Sequence, residues 1–223
     1  MMRRGLMGGL MATALATTLG GSGCSVLPTQ AYLQRREWPL VVTRPEGPPG
    51  GPSGDLAGNA PAARPGRPRG SVLLLRTIQA GPGLDARGLQ TLQPDGSLQT
   101  AFYEQWAAPP AQGVDDDLRR WLTDSGLFAA VVSTGSRLTA DFMLEGTLVA
   151  LNADLGSGTA RAALSLMLID QRAGGARVLL ERTETASVKL EGTDPPALAR
   201  AQLAAVAGML RQTEADLAIA VHP

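Results

Sequence analysis

Apolar and polar positions change period several times along this chain, and each change predicts an element. Val72-Leu73-Leu74-Leu75-Arg76-Thr77-Ile78 is a near-continuous apolar run of strand length, the pattern of a strand covered on both faces. Gly81-Pro82-Gly83 breaks it. Leu89 to Leu92 and Leu98 to Tyr103 flank Pro94-Asp95-Gly96, which predicts a hairpin closed by Trp106. Pro109-Pro110 can open a helix, because the first-turn amide is unpaired in any case. That helix runs to about Ser125, with Val114, Leu118, Trp121 and Leu122 on one stripe and Gly126 just past its end. Asp115, Asp116 and Asp117 near its start suit the helix dipole and pairing with Arg119 and Arg120.

Phe128 to Val132 predicts a further strand. From Ala140 to Leu151 the alternation puts Phe142, Leu144, Leu148 and Ala150 on one side, with Asp141, Glu145 and Thr147 opposite. Arg161 to Asp170 repeats the pattern with Ala162, Leu164, Leu166 and Leu168, and Arg177 to Leu190 follows after Ala173-Gly174-Gly175. Short glycine turns join the three into an antiparallel meander. Its outward positions Met143, Val149, Leu151, Met167 and Ile169 are apolar as well, where such a sheet usually shows polar residues. A covering helix, self-association, a partner or lipid would each account for that. The last element is a helix from Pro195 to Val221, capped by Asp194. Leu203, Val206, Leu210, Thr213 and Leu217 share its face, and alanines elsewhere allow close packing on a sheet.

Upstream, Arg3 and Arg4 precede an uncharged run from Gly5 to Leu19, then Gly20-Gly21-Ser22-Gly23-Cys24. That is a positive n-region, an apolar h-region and a small-residue cleavage site. The run is about fifteen residues, short of the roughly 20 needed to span a bilayer. Cys24 is the only cysteine, so no internal disulfide forms. It stands where a bacterial lipoprotein is cleaved and acylated, although Gly21 takes the place of the usual lipobox leucine. The organisation read from the sequence is therefore a signal peptide over 1–23, then a lipidated N-terminus over 24–43. The latter carries a possible edge strand around Trp38 to Val42. A Pro/Gly-rich flexible linker over 44–70 follows, spacing a folded domain over 71–223 from the membrane.

Lys+Arg and Asp+Glu are equal at 20 each, so no basic excess points to nucleic acid. The one histidine, His222, sits beside the C-terminus, which excludes an ordinary Ser-His-Asp or Cys-His site. No Cys/His metal spacing and no Gly-rich loop ending in Lys-Ser or Lys-Thr is present, so the chain is not an ATPase subunit. No catalytic, cofactor-binding or metal residues are expected.

The order of these features resembles one family. The signal, an apolar strand, Gly83-Leu84-Asp85, the Pro-Asp-Gly hairpin and Tyr103-x-x-Trp106-x-x-Pro109 precede an amphipathic helix. Gly126-Leu127-Phe128-x-x-Val131 then leads into Ala140-Asp141-Phe142-x-Leu144-x-Gly146. The set is similar to the ABC-type transport auxiliary lipoproteins, such as the Pqi-system lipoprotein and components beside Mla/Mce-type transporters. The resemblance covers about Ser71 to Val221. It implies an α/β (α+β sandwich) domain like the N-terminal domain of TolB, with a mixed, largely antiparallel sheet and two main helices packed on it. It also implies a non-catalytic accessory of an ABC-type lipid transport system, partnered by an Mce-type periplasmic component and the permease/ATPase complex. The expected site is the outer membrane, with a possible homo-oligomer; the rival reading is a periplasmic lipid carrier with an apolar pocket. Candidate partner contacts are Tyr103, Trp106, Pro109, Met143, Val149, Leu151, Met167 and Ile169, and lipidation falls on Cys24.

Overall fold

A computed structural model describes residues 34–45, 70–172 and 175–221. The signal sequence, Cys24 and most of the Pro/Gly-rich stretch lie outside them. Nine strands form one mixed sheet: β1 (Arg36–Trp38), β2 (Val72–Leu75), β3 (Gln79–Ala80), β4 (Gly88–Leu92), β5 (Leu98–Trp106), β6 (Ala130–Ser133), β7 (Phe142–Asp154), β8 (Thr159–Asp170) and β9 (Arg177–Lys189). Two helices, α1 (Pro110–Ser125) and α2 (Pro195–Val221), complete the α+β domain.

The spine is β7. Along one edge it pairs antiparallel with β8 over its whole length, and β8 with β9, so the predicted meander is present. Along its other edge it takes three parallel partners in succession: β2 opposite Phe142 to Leu144, β3 opposite Thr147 and Leu148, and β4 opposite Ala153 and Asp154. The run from Val72 to Ile78 is thus not one strand but β2, a step, and then β3 from Gln79. The step lets one chain follow a long twisted neighbour. Beyond β2 lies β6, and beyond β4 lie β5 and β1.

Both helices pack on one face of the sheet. Leu144, Leu148, Leu164, Leu166 and Leu168 meet Val206, Met209, Leu210 and Leu217 of α2 and Val114, Leu118 and Leu122 of α1 in a single buried cluster. Asp194 caps α2 by accepting a 2.9 Å bond from the Ala197 amide, and Gly126 ends α1 in the left-handed region at φ 68°. α2 approaches β9 tightly at a glycine: a Cβ on Gly208 would sit 2.9 Å from that of Ala186. Deep in the helix, Gln202 donates to the Gln90 carbonyl of β4 at 3.2 Å and ties α2 across the sheet.

Four expectations change. β2 is covered on one face only, because no described helix lies on the other. Leu151 points into the core at 1% exposure, because a bulge between Leu148 and Ala150 shifts the alternation by one residue. Asp115 and Asp117 do pair with Arg119 and Arg120, but they are buried and spend their remaining oxygens on backbone amides. Asp115 accepts from Ile78 at 3.0 Å, and Asp117 accepts from Val42 at 3.1 Å. Finally, residues 36–44 are part of the folded body. β1 pairs parallel with β5, with Trp38 opposite Trp106; Leu40 is buried beside Gly113; Arg44 reaches Glu214 of α2 at 2.8 Å. The stretch 46–69 therefore joins two fixed points of one body, and only the residues before Gln34 separate that body from Cys24.

Candidate interaction surfaces

Rows of cross-strand partners define the face of the sheet away from the helices. Residues directly opposite in adjacent strands share a face. Val132 pairs with Leu74, Leu74 with Met143, Met143 with Ile169, and Ile169 with Val178. One apolar stripe thus crosses five strands, β6-β2-β7-β8-β9. Four of its members are half-buried by their neighbours, and Val178 at the edge is 52% exposed. The adjoining row is charged: Glu145, Met167 and Glu181, with Arg76 bonded to Glu145 at 2.6 Å. An open cleft of about 360 Å³ lies over this row, lined by Arg76, Gln79, Glu145, Thr147, Ser165 and Glu181 among others. Its walls are mixed, with Leu166 and Met167 among the polar groups. A lipid-holding pocket would be mostly apolar and closed.

Of the expected contacts, Met143, Met167 and Ile169 lie on this face, half-buried, and Val149 is exposed beside the bulge. Leu151 does not. Leu74, Val132 and Val178 were missed; only the strand order brings them into line, although the unbroken apolar run around Leu74 signals a second apolar face. In the Tyr103–Pro109 stretch, Tyr103 and Pro109 are exposed, but Trp106, opposite Trp38 of the neighbouring β1, is 1% exposed in the core and unavailable to a partner.

The second feature is a strap formed by residues 39–45. Asp117, fully buried, is pushed above the ordinary carboxylate range by desolvation, against which the Val42 amide and Arg120 act. Burial likewise pushes the Glu214 carboxyl up. The Arg44 guanidinium and the Trp121 indole N–H at 2.7 Å outweigh it and hold Glu214 below its usual range. That one carboxylate joins the strap, α1 and α2.

A third cluster lies between β9 and α2. Glu184, 5% exposed, is pushed up to about 7 by burial first and by the neighbouring Asp216 carboxyl, against the pull of Arg182. Arg182 in turn pairs with Asp216 at 2.9 Å. Among the described residues no group of three or more His, Cys, Asp or Glu is placed to hold a metal ion. No described helix is long and apolar enough to cross a membrane.

A comparison with family models finds one described as the ABC-type transport auxiliary lipoprotein component, matching residues 55–213. The chain belongs to this family. A crystal structure of the protein XCC0632 from Xanthomonas campestris is similar at 24% identity, with a TM-score of 0.61 over 70% of this chain and 90% of that one. The hypothetical protein CT253 from Chlamydia trachomatis is similar at 11% identity, with a TM-score of 0.53 over 68% and 98%. At these identities the likeness concerns the fold. No curated protein matches. As an ABC-type transport auxiliary lipoprotein component, the chain is an accessory of an ABC transporter and a membrane-anchored protein of the cell envelope.

Proposed function

We propose that this chain is a non-catalytic adaptor of an Mce/Mla/Pqi-like intermembrane lipid transport system. In this reading acylated Cys24 holds it at the periplasmic face of the outer membrane, and the open sheet face docks on the Mce-type or permease component. The observation that carries the docking is the stripe Val132–Leu74–Met143–Ile169–Val178, an apolar line across five strands with a charged row beside it. Such a line, rimmed by polar groups, is the composition of a recognition surface. Ser25, rather than Asp, follows Cys24 and supports outer-membrane sorting. The open shape of the cleft and the charged groups in its wall support an adaptor over a carrier.

The test is co-purification from envelope membranes. Met143→Lys and Ile169→Asp should abolish recovery of the transporter components while the circular-dichroism spectrum stays native. Undiminished recovery with both variants would move the contact elsewhere, and about one lipid recovered per chain would favour the carrier.

A further inference from the structure

We propose that a patch formed by Arg35, Phe102 and Tyr103 rests in the headgroup layer of the phospholipid membrane that holds the chain's own anchor. The inference depends on the reading of Cys24 as the acylated residue.

The patch is built by a large bulge. Gly88 of β4 pairs with Gln105 of β5 and Gln90 with Thr100, so Leu89 alone faces the four residues Ala101 to Glu104. β5 runs unbroken through the surplus residues, and bulges of this kind re-aim side chains. Neighbours in a flat strand point to opposite faces, yet the Phe102 and Tyr103 rings meet edge to face at 5.0 Å. They stand 65% and 43% exposed. Gly88 is essential to the construction, since a Cβ there would lie 2.2 Å from the Ala101 carbonyl oxygen.

Arg35 lies over the Phe102 ring at 5.2 Å. Its neighbours are engaged: Arg36 bonds Glu104 at 2.8 Å, and Arg87 reaches Glu37 at 3.9 Å and the Ala107 carbonyl at 3.2 Å. No described carboxylate pairs with Arg35. An unpaired guanidinium beside an exposed Phe and Tyr is a combination matched to phosphate groups above and acyl chain ends below.

Position supplies the occupant. The described chain begins at Gln34, next to this patch, and Cys24 lies ten residues earlier. Fully extended, that stretch reaches about 35 Å and in ordinary conformations much less. The bilayer receiving the acyl chains is therefore the surface most often within reach of Phe102, and tethering turns a weak affinity into a standing contact.

The test uses the full acylated chain reconstituted into phosphatidylethanolamine/phosphatidylglycerol vesicles, with or without lipids spin-labelled near the headgroup. Phe102→Cys and, separately, Tyr103→Cys carry an environment-sensitive fluorophore. Flotation of the chain with blue-shifted emission that the spin-labelled lipid quenches is the expected result. Flotation with water-like, unquenched emission would overturn the proposal and leave the anchor intact. Failure to float would remove the anchor reading and this proposal with it. A blue shift that grows with protein concentration but is not quenched would assign the patch to a second copy and overturn it. Arg35→Gln in the unacylated Cys24→Ala chain should weaken vesicle association about fivefold; no change would count against the proposal.

Discussion

On one side of β7–β9 the rows Leu144–Leu168–Leu180 and Leu148–Leu164–Glu184 lie under the helices; on the other, Met143–Ile169–Val178 and Glu145–Met167–Glu181 meet no described helix. Both sides carry aliphatic side chains, so hydrophobicity alone does not distinguish them. What differs is company. The helix side encloses most of its large side chains, Leu180 at the edge being half-buried, and shelters the Glu184 carboxyl beside Asp216 and Arg182. The open side leaves its apolar line half in water, with an ion pair beside it. A sheet that is apolar on two faces, with the described helices on one of them, is the observation on which the docking proposed above rests.

The sharpest way to break this contrast is truncation on each side. Leu148→Ala should cost about 3 kcal/mol in urea unfolding, whereas Met143→Ala should cost less than about 1 kcal/mol. Equal losses would mean that part of the same chain covers the open face. Next in size, Gly208→Val forces a branched side chain against Ala186 and should cost about 2 kcal/mol, read by thermal unfolding. Glu184 sharpens the comparison through pH. Its folded value near 7 exceeds the unfolded value of 4.5, so its contribution is full below pH 4.5 and is lost as pH rises through 7. Glu184→Gln should therefore flatten the stability profile across that window and gain on the order of 1 kcal/mol at pH 8, since amide and carboxylate no longer repel. An unchanged profile would mean that burial does not raise the Glu184 carboxyl. The smallest effect belongs to the open side: Arg76→Ala removes an exposed pair and should change stability by less than about 0.5 kcal/mol.

Elements whose signals are local were legible in the sequence. Both ends of α1 and the start of α2 follow from Pro110, Gly126, Asp194 and Pro195, and the strand trio follows from the alternation between Ala162 and Leu168. Residues displaced by pairing were not legible. Leu151 moved inward because a bulge changes the phase, and the irregular pairing around Phe102 is announced by nothing except Gly88, whose role appears only once β5 is beside it. β1 has three residues, a parallel partner far along the chain and no apolar pattern of its own. Asp115 and Asp117 read as ordinary helix-surface charges, since the amides they accept from belong to segments remote in sequence. The stripe was half visible: Met143 and Ile169 alternate correctly, but the order of strands that extends it to Val132 is a tertiary fact.

The strap has a consequence for how this chain can change length. Arg44 is fixed on Glu214 and Val72 on β6, so residues 46–69 form a closed detour whose ends do not move when it grows. Doubling such a detour adds only about 0.6 kcal/mol of closure entropy. Insertions there alter bulk and composition while leaving the standing height of the body untouched. Each residue added between Cys24 and Gln34, by contrast, pays out up to about 3.5 Å of reach. With Cys24 as the anchor proposed above, the short leader would set the reach, and the long Pro/Gly stretch would be where drift in length is harmless.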